Sequence, residues 1–130
     1  MVFEQHISAA PTTLASHASM LTGTWPHTHG VPRNGFLVDE GNLTLAELAQ
    51  QGGFTTAAFV AAFPLDPRFG LGQGFHHYDA DFDTRFTPGA NQQAQRRADA
   101  VTDAALRFAS SRDPEKERLL LFVHYFDVHA

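Results

Sequence analysis

The segment PTTLASHASMLTG, residues 11–23, places hydroxyl side chains and one imidazole around the start of an apolar pattern with helical spacing. A hydroxyl in the first turn of a helix lies beside unpaired backbone N–H groups and the positive end of the helix dipole. Such a position can bind a tetrahedral oxyanion and can lower the pKa of an attacking hydroxyl. Thr13 is therefore a candidate nucleophile, and the alternative is that Thr12 or Thr13 is an ordinary N-cap.

Two further side chains of this segment could contact the same anion. His17 follows Thr13 by four residues, so both lie on one face of a helix. Ser16 could donate a hydrogen bond to an oxyanion. Each has a plainer interpretation, because a lone helical histidine is more often a packing or surface residue and serine is common near helix starts.

A second polar group follows the apolar run LLLFV, which predicts a buried strand over residues 119–126. Asp127 and His129 come next, at i and i+2, so they should point to the same side just beyond the strand. Ligands of open α/β sheets bind beyond the carboxyl ends of the strands, which makes both residues candidates for substrate binding. His124 lies inside the predicted strand and is interpreted as a core histidine.

Other histidines and acidic residues have spacings of low specificity. Two histidine pairs could suggest a metal site, but dispersed histidines are weak evidence for one. These pairs are His27 with His29 and His76 with His77. Asp79, Asp81 and Asp83 alternate as in some calcium loops, yet the glycine and glutamate that an EF-hand loop requires are missing.

The composition excludes several classes of function. The chain has 130 residues, of which 43% are hydrophobic, as is typical of one modest globular domain. It has no cysteine, which excludes disulfides, a thiolate nucleophile and Cys-ligated metals. The net charge of −5 argues against nucleic-acid binding, and no apolar run is long enough to span a membrane. The start lacks the features of a signal peptide.

Apolar spacing and end signals predict three helices. The first covers Thr13–Thr22 and ends at Gly23 as its C-cap. The second begins in TLAELAQQGG, where Thr44 and Glu47 have the spacing of a capping box. The longest is predicted over 92–110, where apolar residues recur at spacings of three and four.

The remaining segments are predicted as strands and loops. Strands are predicted over 2–10, 54–63 and 119–126, and loops over 24–35 and 64–91. Helices that alternate with strands predict an α/β fold with a parallel sheet as its core. A sheet of three strands would have two bare edges, which suggests a piece of a larger domain.

In this order, the segments resemble the N-terminal part of the catalytic domain of the sulfatase family, within the alkaline phosphatase superfamily. The segments are PTTLASHASMLTG, WPHTHGV with Asn34, LTLAELAQQGGFTTAAFV, GLGQGFHHYD and LLLFVHYFDVHA. The resemblance implies a three-layer α/β/α fold with a mostly parallel sheet. It further implies a partial sulfatase-like hydrolase domain over residues 1–130, truncated at both ends, whose parent hydrolyses sulfuric or phosphoric esters.

The resemblance assigns the nucleophile to Thr13, ten positions before Gly23. True sulfatases have a Cys or Ser there that is oxidised to an aldehyde, and an Arg four residues later. Threonine is a secondary alcohol and cannot become an aldehyde, and His17 stands in place of the Arg. A Thr with a His four residues later is similar instead to the phosphodiesterase branch, in which threonine attacks phosphorus directly.

Two other segments bear on the kind of ester. Many sulfatases have a Lys and a His that bind sulfate at the position occupied here by Val60–Phe63, so this pair is missing. By contrast, Asp127 and His129 match the family's segment at its substrate-binding histidine, with Val128 in place of proline. The resemblance thus implies that His129 binds the anion, with Ser16 and Asp127 beside the substrate.

The resemblance also implies a divalent cation, Ca²⁺, Mg²⁺, Mn²⁺ or Zn²⁺, that Thr13 contacts and whose other ligands lie outside this chain. These 130 residues alone are therefore expected to bind no cation and to be inactive or nearly so. The expected partner is a small-molecule sulfate or phosphate ester.

Two other classes of function stay open. One is a non-catalytic binding or assembly module derived from a sulfatase fold. The other is histidine-rich metal storage, which the dispersed histidines support least. The compartment, the oligomeric state and the organic part of the substrate are not indicated by the sequence.

Overall fold

The computed structural model describes residues 4–5, 7–82 and 95–127. The helices are α1 Thr13–Thr22, α2 Pro26–His29, α3 Leu45–Gln51 and α4 Ala98–Ser110. The strands are β1 Phe54–Phe59, β2 His77–Asp79 and β3 Arg118–Val123. Two short 3-10 turns, Phe63–Leu65 and Pro67–Phe69, lie between β1 and β2.

Within the described residues, the strands form one parallel sheet in the order β2–β1–β3. The central strand β1 pairs with β3 along its whole length, from Phe54 opposite Arg118 to Phe59 opposite Val123. The short strand β2 pairs with the second half of β1. Because all three strands are parallel, their carboxyl ends meet at one edge of the sheet, which is where ligands bind in such folds.

The sheet is covered on both faces, so the predicted α/β fold with three layers is confirmed. The α1 face is packed mainly by Leu14, Ala18, Val60, Leu65 and Phe122. The α4 face is packed mainly by Ala57, Phe59, Val101, Ala105 and Val123. Neighbouring strand residues alternate between the two faces, as Phe122 and Val123 show, because successive side chains of a strand point to opposite sides.

Two predicted helices are confirmed together with their end signals. α1 has the predicted bounds, and Gly23 ends it with φ 67°, donating its N–H to Ser19 O at 2.9 Å. At α3, Thr44 Oγ1 accepts from the Glu47 N–H at 3.2 Å, and Glu47 Oε2 accepts from the Thr44 N–H at 2.8 Å. This reciprocal pair is the predicted capping box.

The predicted strands differ from those observed. The strand predicted over 2–10 is wrong for its described residues, where Ser8 Oγ instead donates locally to Ala10 O at 2.7 Å. The third strand is β2, inside a segment predicted to be irregular, and it forms by pairing with β1. Both β1 and β3 end earlier than predicted, at Phe59 and Val123.

Two helical boundaries also differ. The loop predicted over 24–35 contains the short helix α2, which has Pro26 in its first turn. The helix predicted over 92–110 begins only at Ala98. Arg96 cannot join it because its N–H donates to Ala61 O at 2.9 Å, while Gln95 forms an antiparallel bridge with Ala62. Residues 92–94 lie outside the described part.

None of the helices in the described part of the chain is long and apolar enough to cross a membrane.

Candidate anion-binding site at the first turn of α1

Thr12, the residue that precedes α1, does not cap the start of the helix with its side chain. Thr12 is extended, with φ −112° and ψ 148°, and makes no side-chain capping hydrogen bond. Its Oγ1 is buried and has no hydrogen-bond partner among the described residues. A buried hydroxyl without a partner costs free energy, so this oxygen needs a polar partner that the described residues do not supply.

The backbone amides of the first turn are only partly satisfied. The Leu14 N–H donates to Asn34 Oδ1 at 2.8 Å, and the Ser16 N–H donates to Thr12 O at 3.0 Å. The amides of Thr13 and Ala15 have no acceptor among the described residues. Two amides are thus available at the positive end of a ten-residue helix, beside the half-buried Thr13 side chain.

Ser16 and His17 lie on this same turn and bond to its backbone. His17 Nδ1 lies 2.7 Å from Thr13 O, and Ser16 Oγ donates to the same carbonyl at 3.0 Å. A carbonyl only accepts, so Nδ1 of His17 carries the proton and donates it. In the neutral ring, Nε2 is then the nitrogen with a free lone pair.

The end of β3 brings a second histidine to His17. His124 is the first residue after β3, and its ring centroid lies 5.0 Å from that of His17, with the ring planes at 80°. Phe122 contacts His17 in a similar edge-to-face manner, at 5.8 Å and 81°. Two residues of the C-terminal sheet edge therefore flank the imidazole of His17.

Burial makes both imidazoles weaker bases than a solvent-exposed histidine. It lowers the pKa of His17 despite the opposing hydrogen bond to Thr13 O. It also lowers the pKa of His124 to about 4, and charge repulsion from His17 acts in the same direction. Both rings are consequently neutral near pH 7 in the absence of a bound anion.

The structure places Thr13, Ser16 and His17 together on the first turn of α1, as the sequence predicts. Of the two residues predicted to lie beyond β3 and beside that turn, Asp127 and His129, it describes only Asp127. Asp127 is exposed. Hydrogen bonding to Asp99 raises the pKa of Arg97, and the Asp127 carboxylate adds to this effect from nearby. His129 lies outside the described residues, so its predicted position beside Thr13 stays a prediction.

Two of the other histidines that could suggest a metal, His29 and His76, have structural partners. His29 is buried and lies with Nε2 2.9 Å from Ser19 Oγ, while its Nδ1 accepts from the Val31 N–H at 3.2 Å. His76 Nδ1 lies 2.9 Å from Thr56 Oγ1. In the described part of the chain, no three His, Cys, Asp or Glu side chains form a group that could hold a metal ion.

Two residues that contact the first turn of α1 or its side chains, His124 and Asn34, are missed by reasoning from the sequence. The apolar pattern places His124 inside a strand, although it lies just beyond the strand end, where the rule used for Asp127 also applies. Asn34 stands out in the sequence only as part of a family motif, and its side chain accepts from the first turn of α1 across 20 residues. No local pattern indicates that contact.

Comparisons with known proteins agree with the fold. The sulfatase family model matches residues 1–130. Among solved structures, the chain is similar to BT4656 in complex with its substrate D-glucosamine-2-N,6-O-disulfate, with a TM-score of 0.76 and 21% identity. The similarity covers 98% of this chain but 27% of that one, so this chain spans about a quarter of the length of that protein. No curated protein sequence matches this chain.

Proposed function

Since the chain belongs to the sulfatase family, we propose that it forms part of a sulfuric or phosphoric ester hydrolase and binds the tetrahedral anion of the ester at the first turn of α1. The observation that carries this proposal is the uncapped helix end. The amides of Thr13 and Ala15 have no acceptor in the described part of the chain, and the buried Thr12 hydroxyl has no partner there. Backbone N–H groups at a helix start bind anions through hydrogen bonds and the dipole together.

In this proposal, Thr13 Oγ1 is the nucleophile. It attacks sulfur or phosphorus in line with the leaving oxygen, so a bond to Oγ1 forms while the ester bond breaks. The result is a covalent ester on Thr13, which water then cleaves. Amides held rigidly at the helix start stabilise the charge that develops on the transferred group, which is the largest contribution that a fixed backbone can make.

Ser16, His17 and the residues after β3 would surround the anion. His17 presents Nε2, because its Nδ1–H is committed to Thr13 O. This nitrogen can accept a proton from the attacking hydroxyl or bond to a protonated substrate oxygen. His129 would bind the anion as in the family resemblance. Asp127 is a carboxylate and repels an anion, so we assign it to hydroxyl groups on the organic part of the substrate.

The divalent cation that the family implies does not find a full set of ligands here. The described residues contain no group of three or more candidate ligands, and Thr13 would supply one oxygen. A cation held beside Thr13 by oxygen or nitrogen ligands from other residues would stabilise charge on the transferred group. We propose, following the family resemblance, that the other ligands come from outside these 130 residues, which alone have little or no hydrolase activity.

The ester itself is either a sulfate or a phosphate. The solved relative acts on a sulfated glucosamine, which favours sulfate. Thr13 favours phosphate, because the aldehyde that true sulfatases use cannot form from threonine. The proposal accordingly names the shared chemistry, attack of a hydroxyl on a tetrahedral oxyanion ester.

Rates on 4-nitrophenyl sulfate, 4-nitrophenyl phosphate and bis(4-nitrophenyl) phosphate test this proposal. We expect no turnover by the 130-residue chain above that of its Thr13→Ala variant, with or without added Mg²⁺, Ca²⁺, Mn²⁺ or Zn²⁺. A longer form that supplies cation ligands should turn over one class of ester.

Acid quench of that longer form during turnover should leave a sulfuryl or phosphoryl group on Thr13, detected by peptide mass spectrometry. Turnover without any modification of Thr13, and undiminished in Thr13→Ala, would refute the nucleophile. An inert longer form that still binds the anion would favour the non-catalytic module.

A further inference from the structure

His124 is held by the backbone of the neighbouring strand. Its N–H donates to Phe59 O at 2.9 Å, which continues the pairing of β3 with β1 by one residue. Its ring Nδ1 lies 3.4 Å from the Ala61 N–H, from which it accepts. Main chain and side chain are thus both bonded to the segment that leaves β1, so the sheet itself determines where this imidazole lies.

From that position, the ring meets His17 edge to face. The centroids are 5.0 Å apart at 80°, a favourable arrangement for two aromatic rings. On its other side, His17 is bonded through Nδ1 to Thr13 O at 2.7 Å. The imidazole is therefore fixed between the first turn of α1 and the end of β3, and Nε2 is its remaining nitrogen.

We propose that His124 is a positioning residue of the anion site, whose ring holds the imidazole of His17 in the place where its Nδ1–H bonds to Thr13 O and its Nε2 is left for the substrate. The role of Nε2 rests on the proposed function, whereas the effect of His124 on His17 does not. A site of this kind depends on neighbours that lock the rotamers of its working side chains.

His77 provides a matched control on the opposite face of the sheet. Its ring stacks on Phe108 at 5.1 Å and 19°, so it is also a histidine packed against an aromatic ring. Its other aromatic neighbour is Phe59, and both phenylalanines belong to the α4 face. His77 is exposed and His124 is half-buried, so loss of the His77 ring should disturb packing less, and its contacts on the α4 face do not reach His17.

The test compares His124→Ala, His124→Leu and His124→Phe with His77→Ala in the 130-residue chain. Phe keeps a flat ring beside His17, Leu keeps the volume without a ring, and Ala removes both. Long-range ¹H–¹⁵N NMR of the imidazoles reports which nitrogen of His17 carries the proton. We expect a single Nδ1–H form in the unmodified chain, in His124→Phe and in His77→Ala, and a mixture of tautomers in His124→Ala and His124→Leu.

Tungstate, a tetrahedral oxyanion, serves as the probe for the second measurement by calorimetry. Tungstate only accepts hydrogen bonds, so Nε2 of His17 bonds to it only after this nitrogen has taken up a proton. We expect His124→Ala and His124→Leu, which release the imidazole from this position, to weaken tungstate binding about tenfold. His124→Phe should restore most of the affinity. If His124→Ala does not fold, the comparison of Leu with Phe decides the matter.

Three results would contradict the inference. One is an unchanged His17 tautomer in the Ala and Leu variants, the second is a Phe variant that behaves like Ala, and the third is an equal change in His77→Ala. If the unmodified chain does not bind tungstate, the proposed function fails on its own, and the tautomer comparison still decides the role of His124.

Discussion

Two helices of this chain begin after a threonine, and only one of the two threonines caps its helix. At α3, Thr44 Oγ1 accepts from the Glu47 N–H and Glu47 returns a hydrogen bond to the Thr44 N–H. At α1, the Thr12 hydroxyl is buried without a partner among the described residues, and no acidic residue lies in the first turn. Both threonines are N-cap residues. Thr44 caps the start of α3, whereas the Thr12 hydroxyl does not cap the start of α1.

The difference lies in the residue three positions after the threonine. A glutamate there completes the capping box at α3, whereas α1 has Ala15 at the corresponding position. A glutamate at position 15 would accept from the Thr12 N–H, the Thr12 hydroxyl would then accept from the amide of residue 15, and the carboxylate would repel an anion. The missing capping box at α1 therefore costs stability, and it leaves the amides of Thr13 and Ala15 without an acceptor in the described part of the chain.

The largest effect that separates the two ends is catalytic. In a longer form of the protein that hydrolyses esters, Thr13→Ala should lower kcat by about a thousandfold or more, because the proposed attacking oxygen is lost. Thr44→Ala should leave kcat within about twofold, because that hydroxyl caps α3 and otherwise bonds only to Glu47 and Gln73 among the described residues. Steady-state rates on the preferred nitrophenyl ester check this pair. Similar losses in both variants would mean that the effect at Thr13 is one of folding.

A pH effect on stability should come from the region around α1. Burial lowers the pKa of His17, His29 and His124, the last to about 4. The unfolded chain then holds these protons more tightly than the folded chain does. Stability is therefore complete above about pH 6.5 and falls as the pH decreases towards 4.

For His124, we expect a loss of about 2 kcal/mol, reduced from the full shift because water reaches part of the ring. Urea unfolding at about pH 7.5 and about pH 4.5 measures it, with His124→Phe as the control that should lose correspondingly less. An equal loss in both chains would show that His124 does not contribute to the pH dependence.

The two threonine caps can be compared directly with an isosteric change. Thr44→Val removes a hydroxyl that caps α3 and should cost about 1 kcal/mol of unfolding free energy. Thr12→Val removes a buried hydroxyl without a partner in the described part and should be neutral or stabilising by up to about 1 kcal/mol. Thermal and urea unfolding provide both values. A Thr12→Val variant that loses as much as Thr44→Val would remove the contrast between the two ends.

The smallest expected effect concerns Asn34, which takes over one capping bond at α1. Its Oδ1 accepts from the Leu14 N–H at 2.8 Å. Because Asn34 is exposed, water can replace it, so Asn34→Ala should cost only about 0.5 kcal/mol. Asn34→Asp, which keeps the acceptor, is the matched control for stability. A cost above that of Thr44→Val would show that Asn34 is the main cap of α1.

Much of the fold is predictable because its signals are local. The bounds of α1 follow from its apolar stripe and Gly23, and the start of α3 follows from Thr44 and Glu47. β2 is not predictable, because His77–Asp79 has no apolar run and becomes a strand only by pairing with β1. The late start of α4 has the same origin, since Arg96 bonds to Ala61 instead.

The site is predictable where one helix turn contains it and not where two distant segments meet. Thr13, Ser16 and His17 follow from the period of a single helix. The contact of His17 with His124 joins residues that are far apart in sequence, and it depends on where β3 ends. Asp127 is selected because ligands bind beyond the carboxyl ends of parallel strands. Since β3 ends at Val123 rather than at Phe126, the same rule also selects His124.

The most direct test of the central claim is an amide NMR titration of the 130-residue chain with tungstate. We predict saturable shifts of the Thr13 and Ala15 amides with one midpoint, while the Glu47 amide inside the capping box of α3 stays unchanged. Equal shifts at the starts of α1 and α3, or no saturable shift at Thr13 and Ala15, would contradict the claim that α1 begins with an open anion site.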